Sequence, residues 1–263
     1  MGIINVTPDS FSDGGMCSNC DSAVEFALKL VEQGADIIDI GGESTRPGAD
    51  EVTFEEEYQR VIPVIRELRK SSKVTISVDT RKANIAEAAI EAGANIVNDI
   101  SSLRHDADMI DVLKSNPDIS IVLMHMLGNP SNMQDNPYYE NVVSDVYAFF
   151  EERIEYCVSN GIDIDRLIID PGIGFGKSIE HNLELLANLK IFQQLKLPIL
   201  LGTSRKSFVN MISKSNPEDR LAGSLASIFC FDDFVADIIR VHDVFAHKQF
   251  IDVKNSIWSR KQS

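Results

Sequence analysis

Seven positions along the chain carry side chains suited to holding a small anionic heterocycle. Arg46, Lys206, Arg240 and His242 can form an anion-binding corner, since Arg and Lys are the usual partners of phosphate oxygens. Asp79, Asn98 and Asp170 offer acceptors and an amide suited to a heterocycle edge, because a carboxylate accepts two parallel N–H donors from an amino-pyrimidinone. Asp170 opens the run Asp170-Pro-Gly-Ile-Gly-Phe-Gly-Lys177, which matches neither glycine-rich nucleotide pattern in full. Its glycines are expected to turn the backbone and leave room for a flat ligand beside Phe175. A hydrolytic site would require a positioned nucleophile or a multi-ligand metal cage. The histidines supply neither: His125, His181, His242 and His247 lack HExxH spacing, and His105 and His181 read as surface or helix-packing residues. Cys17-Ser-Asn-Cys20 has no second Cys/His pair to complete a zinc site and reads as a pair of reduced loop thiols.

These residues need a scaffold, and the chain alternates short β-branched runs with longer amphipathic stretches. Ile3-Ile4-Asn5-Val6 reads as a strand, after which Val24, Ala27, Leu28 and Val31 recur at helical spacing and Gly34 closes the helix. Ile37 to Ile40 is a second strand; Thr53-Phe-Glu-Glu56 then matches a capping box, and Pro63 is expected to kink the helix that follows. Further strands are expected at 74–78, 95–98, 120–124, 167–169, 198–201 and 238–241, which makes eight. Gly34-Ala-Asp-Ile-Ile-Asp39 echoes Gly93-Ala-Asn-Ile-Val-Asn98, each closing a helix and launching a strand. Every strand ends on polar residues: Asn5, Asp39, Asp79, Asn98-Asp99, His125, Asp170, Ser204 to Ser207, and Arg240 with His242. In a parallel barrel, catalytic groups sit at those carboxyl ends and on the loops beyond them. Two such loops, Thr7 to Gly15 and Gly41 to Gly48, are long for βα connections and rich in turn formers.

A closed α/β barrel typically uses about 250 residues, so the 263 residues here fit a single (β/α)8 TIM barrel domain spanning 1–263. The structural alternative is an open doubly wound sheet. With 25 Lys+Arg against 40 Asp+Glu, a formal charge of −15, nonspecific binding to nucleic acid or anionic membranes is disfavoured. No apolar stretch is long enough to span a bilayer, no secretory signal pattern opens the chain, and Val6 stands where myristoylation needs Ser or Thr. A cytoplasmic protein is expected.

Several segments together resemble the dihydropteroate synthase family. They are Met1 to Gly15, Gly41-Gly-Glu-Ser-Thr-Arg-Pro-Gly48, Ser77-Val-Asp-Thr80, Asn98-Asp-Ile100 and Leu123-Met-His-Met126 with Gly128-Asn-Pro130. The run Asp170 to Lys177, Ser204-Arg-Lys-Ser207 and Arg240-Val-His-Asp243 complete the set. The match is in order and spans nearly the whole chain. It implies a pterin-binding (β/α)8 barrel that joins (7,8-dihydropterin-6-yl)methyl diphosphate to 4-aminobenzoate, giving 7,8-dihydropteroate and diphosphate, with Mg2+ as cofactor, small molecules as partners and a homodimer as assembly. By resemblance, Asn5 ligates Mg2+ beside the diphosphate. Asp79, Asn98, Asp170 and Lys206 hold the pterin, while Arg240 and His242 hold the diphosphate. Phe11 and Asp13 lie on the first loop, Thr45 and Arg46 on the second, and Pro47, Phe175 and Ser207 surround the aminobenzoate. Asp13, Arg46 and Lys206 are the residues expected to act in catalysis.

Some features depart from the family pattern. Members usually carry a segment before the first motif, so the expectation is either a truncated chain or a barrel floor sealed another way. Ile173 replaces a common aromatic, Leu127 a common polar residue, and Phe231-Asp-Asp-Phe234 a run of small residues. Two other functions compete. A methyltetrahydrofolate-binding corrinoid methyltransferase domain would hold a pterin similarly but would not need Asn5, Arg46, Lys206 and Arg240 together. A noncatalytic partner subunit would be expected to have lost loop residues, and both loops are complete.

Overall fold

The structure is a computed structural model that describes residues 1–7, 16–44, 51–229 and 235–260. Strands and helices alternate: β1 (Gly2–Asn5), α1 (Met16–Glu32), β2 (Ile37–Gly41), α2 (Phe54–Ser71), β3 (Thr75–Asp79), α3 (Ala83–Ala92), β4 (Ile96–Asp99), α4 (Met109–Ser115) and β5 (Ser120–Met124). They continue as α5 (Val142–Ser159), β6 (Leu167–Asp170), α6 (Ile179–Ala187), β7 (Leu200–Leu201), α7 (Ser207–Ile212), α8 (Leu221–Phe229), β8 (Ile238–Ile239) and α9 (Val244–Trp258). Strands β1 to β6 form one parallel sheet in chain order, and β7 pairs with β8 in a second. Single parallel bridges, Ile169 with Ile199 and Gly2 with Val241, run between the two sheets.

The expected strands are present within a residue or two, and the last two are shorter than expected. β7 spans only Leu200–Leu201 and β8 only Ile238–Ile239. Pro198 has no N–H to give to a ladder; its carbonyl accepts from Ile169 instead, at 3.0 Å.

Alternation along the strands divides the interior into two regions. One set of side chains, including Ile38, Ile40, Ile76, Val78, Val97, Ile121, Leu123, Leu167, Ile169 and Leu201, packs with the helices in the main core. The opposite face gathers Ile96, Val122, Ile168 and Leu200 with Met1, Ile37 and Ile238 into a separate apolar cluster. Side chains from seven strand regions thus meet on one face. Two residues further along that face, by the period of two, stand Asp39, Asn98, Met124, Asp170, Gly202 and Arg240.

Helix ends follow the sequence closely. Thr53 and Glu56 form the expected capping box, and α2 continues as one helix through Pro63. The echoed segments share one turn: Gly34 has φ +98° and Gly93 φ +112°, and the next residues, Ala35 and Ala94, donate back to Leu30 and Ala89. The left-handed backbone suits glycine at both positions. Cys17 and Cys20 lie in the opening turns of α1, not in a loop as expected, because the helix starts at Met16.

Candidate active site

The register places the first group of candidates in one row across the sheet. Asn5 pairs with Gly41, Gly41 with Asp79, and Asp79 with Asn98. Gly41 lets the two strands carry this row closely, since a Cβ there would lie 3.3 Å from the Asp79 Cβ. Asp79, Asn98 and Asp170 are all buried. Arg240, just past β8, crosses to this row: its Nη2 donates to Asp79 Oδ2 at 2.7 Å and its Nε to Asp39 Oδ2 at 2.6 Å. Asp39 Oδ2 also accepts from Asn98 Nδ2 at 3.1 Å.

On the far side, Asp170 Oδ1 accepts from the Gly172 N–H at 2.7 Å. Lys206 donates to the Ile173 carbonyl, and its Nζ lies 4.7 Å from the centre of the Phe175 ring. Lys206 and Arg240 flank Gly202, whose Cβ position would be 3.8 Å from Lys206 Nζ and 3.9 Å from Arg240 Cβ. His242 hydrogen-bonds Ser204, its backbone N–H at 3.2 Å and its Nδ1 at 3.1 Å from Ser204 Oγ. Ser207 opens α7 and is exposed. Phe175 is half-buried against Ile100, Met124, Met126 and Met133.

Burial drives the charge states. It pushes the Asp79 carboxyl up to about 7, with Arg240 pulling it down and Asp39 pushing it further up. Burial also raises Asp170 against the pull of Lys206. Lys206 is lowered to about 8 by burial, against Asp170 and with Arg240. Arg240 moves the other way: burial opposes its charge, but Asp39 and Asp79 outweigh that and raise it. One guanidinium shared by two buried carboxylates holds its own proton firmly while compensating the burial of Asp79 incompletely.

Two expectations need correction and a third is refined. The glycines of 170–177 were expected to leave room for a flat ligand, but the protein's own backbone takes that room at two of them. A Cβ on Gly172 would lie 2.0 Å from the His125 carbonyl oxygen, and one on Gly176 2.7 Å from Leu127. Arg240, expected as an anion partner, gives two of its donors to Asp39 and Asp79, which leaves the remaining N–H groups for a ligand. The polar strand ends do not act as one set, since Asp99 and His125 follow inward residues by one and so face the helices. Asp99 accepts from Ser101 and Leu103. His125 packs edge-on to Phe149 on α5 and contacts Lys177 Nζ at 2.9 Å; burial lowers both His125 and Lys177. Ile173 is fully buried in the main core, so the departure from an aromatic does not alter the pocket through its side chain. His181 caps α6 through Ser178, a helix-end role in keeping with the reading above.

Phe11, Asp13, Thr45, Arg46, Pro47 and the segment 231–234 lie outside the described residues. Among the described residues no group of three or more His, Cys, Asp or Glu forms a metal cage, and no helix is long and apolar enough to cross a membrane. Two sets of functional-looking residues escaped the sequence reading. Asp39 was noted only as a strand end, although its echo with Asn98 pairs the two. The cluster of Glu43, Arg81, Lys82 and Glu57 left no motif beyond Glu43 itself.

The pterin binding enzyme family matches residues 1–242. The chain is 44% identical over 263 residues to a dihydropteroate synthase of Escherichia coli K12, covering 100% of this chain and 93% of that protein. It is 45% identical over 253 residues to one from Haemophilus influenzae, covering 96% and 91%. Among solved structures, the Yersinia pestis dihydropteroate synthase with a sulfonamide drug complex superposes with a TM-score of 0.92 at 44% identity, covering 98% of this chain and 94% of that one. The Xanthomonas albilineans enzyme with 4-aminobenzoic acid gives 0.90 at 45% identity, covering 100% and 92%.

Proposed function

The chain belongs to the dihydropteroate synthase family, and from that premise we propose how its own residues carry out the reaction. It condenses (7,8-dihydropterin-6-yl)methyl diphosphate with 4-aminobenzoate, giving 7,8-dihydropteroate and diphosphate, a transferase step of folate biosynthesis. The observation that carries the residue assignment is the convergence of Asp79, Asn98, Asp170, Lys206 and Arg240 on one face at the strand carboxyl ends. The closed (β/α)8 barrel, as a single domain, is part of this proposal. The apolar cluster fed by seven strand regions and the bridges Ile169–Ile199 and Gly2–Val241 support it.

In this reading Asp79, Asn98 and Asp170 meet the N–H and carbonyl edge of the pterin ring, and Lys206 and Phe175 border it. Arg240 and His242 face the diphosphate. The aromatic amine is a weak nucleophile, so the barrier falls chiefly through departure of the diphosphate: the C–O bond breaks with its electron pair leaving on oxygen, and the amine nitrogen then bonds to the methylene carbon. Arg240 stabilises charge growing on the leaving oxygen. The electron-rich pterin stabilises the cationic methylene, and the carboxylate of Asp170 beside the ring favours that charge. The amine nitrogen gives up its proton after the C–N bond has formed, to solvent once the loops reopen, without a dedicated base.

Mg2+ fits the donor set. Asn5, half-buried in the row of Asp79, is the one assigned ligand, and Mg2+ characteristically keeps waters and takes substrate phosphate oxygens in place of a protein cage. When bound, it supplies positive charge to the diphosphate oxygens. Phe11, Asp13, Thr45, Arg46 and Pro47 keep the roles the family implies, with the two loops closing over the intermediate to exclude water and Ser207 bordering the aminobenzoate. The homodimer is supported by exposed Phe229 on α8 and by Phe245, Val253 and Ile257, spaced by multiples of four along α9.

The deciding experiment mixes the purified chain with pterin diphosphate, 4-aminobenzoate and Mg2+ and follows diphosphate release. Release that depends on 4-aminobenzoate, and that sulfonamides inhibit competitively against it, is expected. No release above the enzyme-free control overturns the reading.

A further inference from the structure

Asp39 is the buried acid that the pterin and diphosphate assignments leave without a task. It stands at the centre of β2 with no solvent exposure. Among the described residues its Oδ1 has no hydrogen-bond partner, so its hydrogen bonds run through Oδ2. That single oxygen accepts from Asn98 Nδ2 at 3.1 Å and from Arg240 Nε at 2.6 Å. We propose that Asp39 is a positioning residue that orients two ligand-facing groups at once, the amide of Asn98 toward the pterin and the guanidinium of Arg240 toward the diphosphate. The inference rests on the assignment of Asn98 and Arg240 made above.

The chemistry of the donors gives it content. An ionised carboxylate only accepts, so it dictates which end of an amide faces it. With Nδ2 turned to Asp39, the Asn98 carbonyl end is turned away from it and presented as an acceptor, which selects a ring edge bearing N–H groups. Arg240 is held at Nε by Asp39 and at Nη2 by Asp79. Two carboxylates on different strands fix the plane of the guanidinium and so aim its remaining N–H groups. The strand echo explains how one residue serves both: Asp39 and Asn98 occupy equivalent places in Gly34–Asp39 and Gly93–Asn98 and meet across the face.

The test is Asp39→Asn, with the same shape but able to offer an N–H. Calorimetry compares pterin diphosphate with the corresponding pterin alcohol, for the wild type, Asp39→Asn, Arg240→Ala, Asn98→Ala and the Asp39→Asn/Asn98→Ala double variant. Asp39→Asn is expected to weaken the alcohol about tenfold and the diphosphate more, by the scale of hydrogen bonds to charged groups, with the KM for 4-aminobenzoate unchanged. In the Asn98→Ala background its effect on the alcohol is expected to vanish, which a merely structural role would not produce. Alcohol binding within twofold of wild type, or an undiminished loss in the Asn98→Ala background, overturns the proposal. Equal losses of both ligands in Arg240→Ala would instead overturn the diphosphate assignment beneath it. Should Asp39→Asn fail to fold, Asp39→Ser is read through the same cycle.

Discussion

Glu43 and Glu57 face Arg81 and Lys82 in one buried charge cluster, while Asp39, Asp79 and Asp170 lie with Arg240 and Lys206 in the other. In the first, Glu43 contacts Arg81 at 2.5 Å and Lys82 at 2.6 Å, and Lys82 reaches Glu57 at 2.6 Å. Burial works against both charges, but the bonds between them win: Glu43 is held below its ordinary value and Lys82 above its own. In the second cluster burial wins at three groups, with Asp79 pushed up to about 7, Asp170 raised and Lys206 lowered to about 8, and loses at Arg240. The first cluster pairs each acid with a cation within the fold, although Glu57 Oε1 has no hydrogen-bond partner among the described residues. Glu43 also accepts from the Val52 N–H at 3.2 Å. The second has an acid in excess, three against two, and keeps Asp79 and Lys206 titrating close to neutral pH, the condition expected where charge is reserved for a ligand.

The largest effect that tests this contrast is on the first cluster. Lys82→Met leaves Glu57, 1% exposed, without its cation, and removing one partner of a buried pair costs about 3–5 kcal/mol. Urea unfolding is expected to show that loss while the folded fraction keeps its kcat; a loss under about 1 kcal/mol breaks the structural reading. Asp79→Asn should do the reverse. Its native value, about 7 against the ordinary 3.8, means that the folded state binds more protons than the unfolded between those pH values. Wild-type stability contributed by this group is full below about pH 4 and lost as pH rises through 7. The variant lacks that loss. Its stability relative to wild type is expected to improve by up to a few kcal/mol from pH 4 to 7, at about 1.4 kcal/mol per pH unit, while turnover collapses for want of the acceptor. A pH-independent difference in thermal melts breaks the contrast.

Most of the second cluster was legible in the sequence and almost none of the first. Asp79, Asn98 and Asp170 sit at strand ends that alternation identifies, and the period of two puts Asn98 and Asp170 on the face of Ile96 and Ile168. The same reasoning, applied one residue off, separates Asp99 and His125, which needed the observed strand bounds before their direction was known. What sequence could not show is pairing across distance: Arg240 meets Asp79 and Asp39 from 161 and 201 positions away. Lys177 was equally hidden. In the sequence it only closes the glycine run, and the fold shows it buried on two backbone carbonyls and His125. Arg81 and Lys82 carry no motif, and their partners come from the β2 end and α2.

Lys206 offers the smallest effect and the finest test. Burial lowers it to about 8, Asp170 partly restoring its charge and Arg240 adding to the loss. Above that pH the free protein loses a positive charge beside the pterin and diphosphate groups. Affinity for pterin diphosphate is therefore expected to hold up to about pH 8 and then weaken by up to tenfold per pH unit, since one proton is linked to binding. In Lys206→Met affinity is lower at pH 7 and that decline is absent, whereas Lys82→Met keeps it, because Lys82 is raised and stays charged through the same range. Calorimetry from pH 7 to 9 on the three proteins separates the clusters directly. A decline that survives in Lys206→Met assigns the titration to another group, and with it removes the asymmetry between a cluster that holds the fold and one that waits for its ligand.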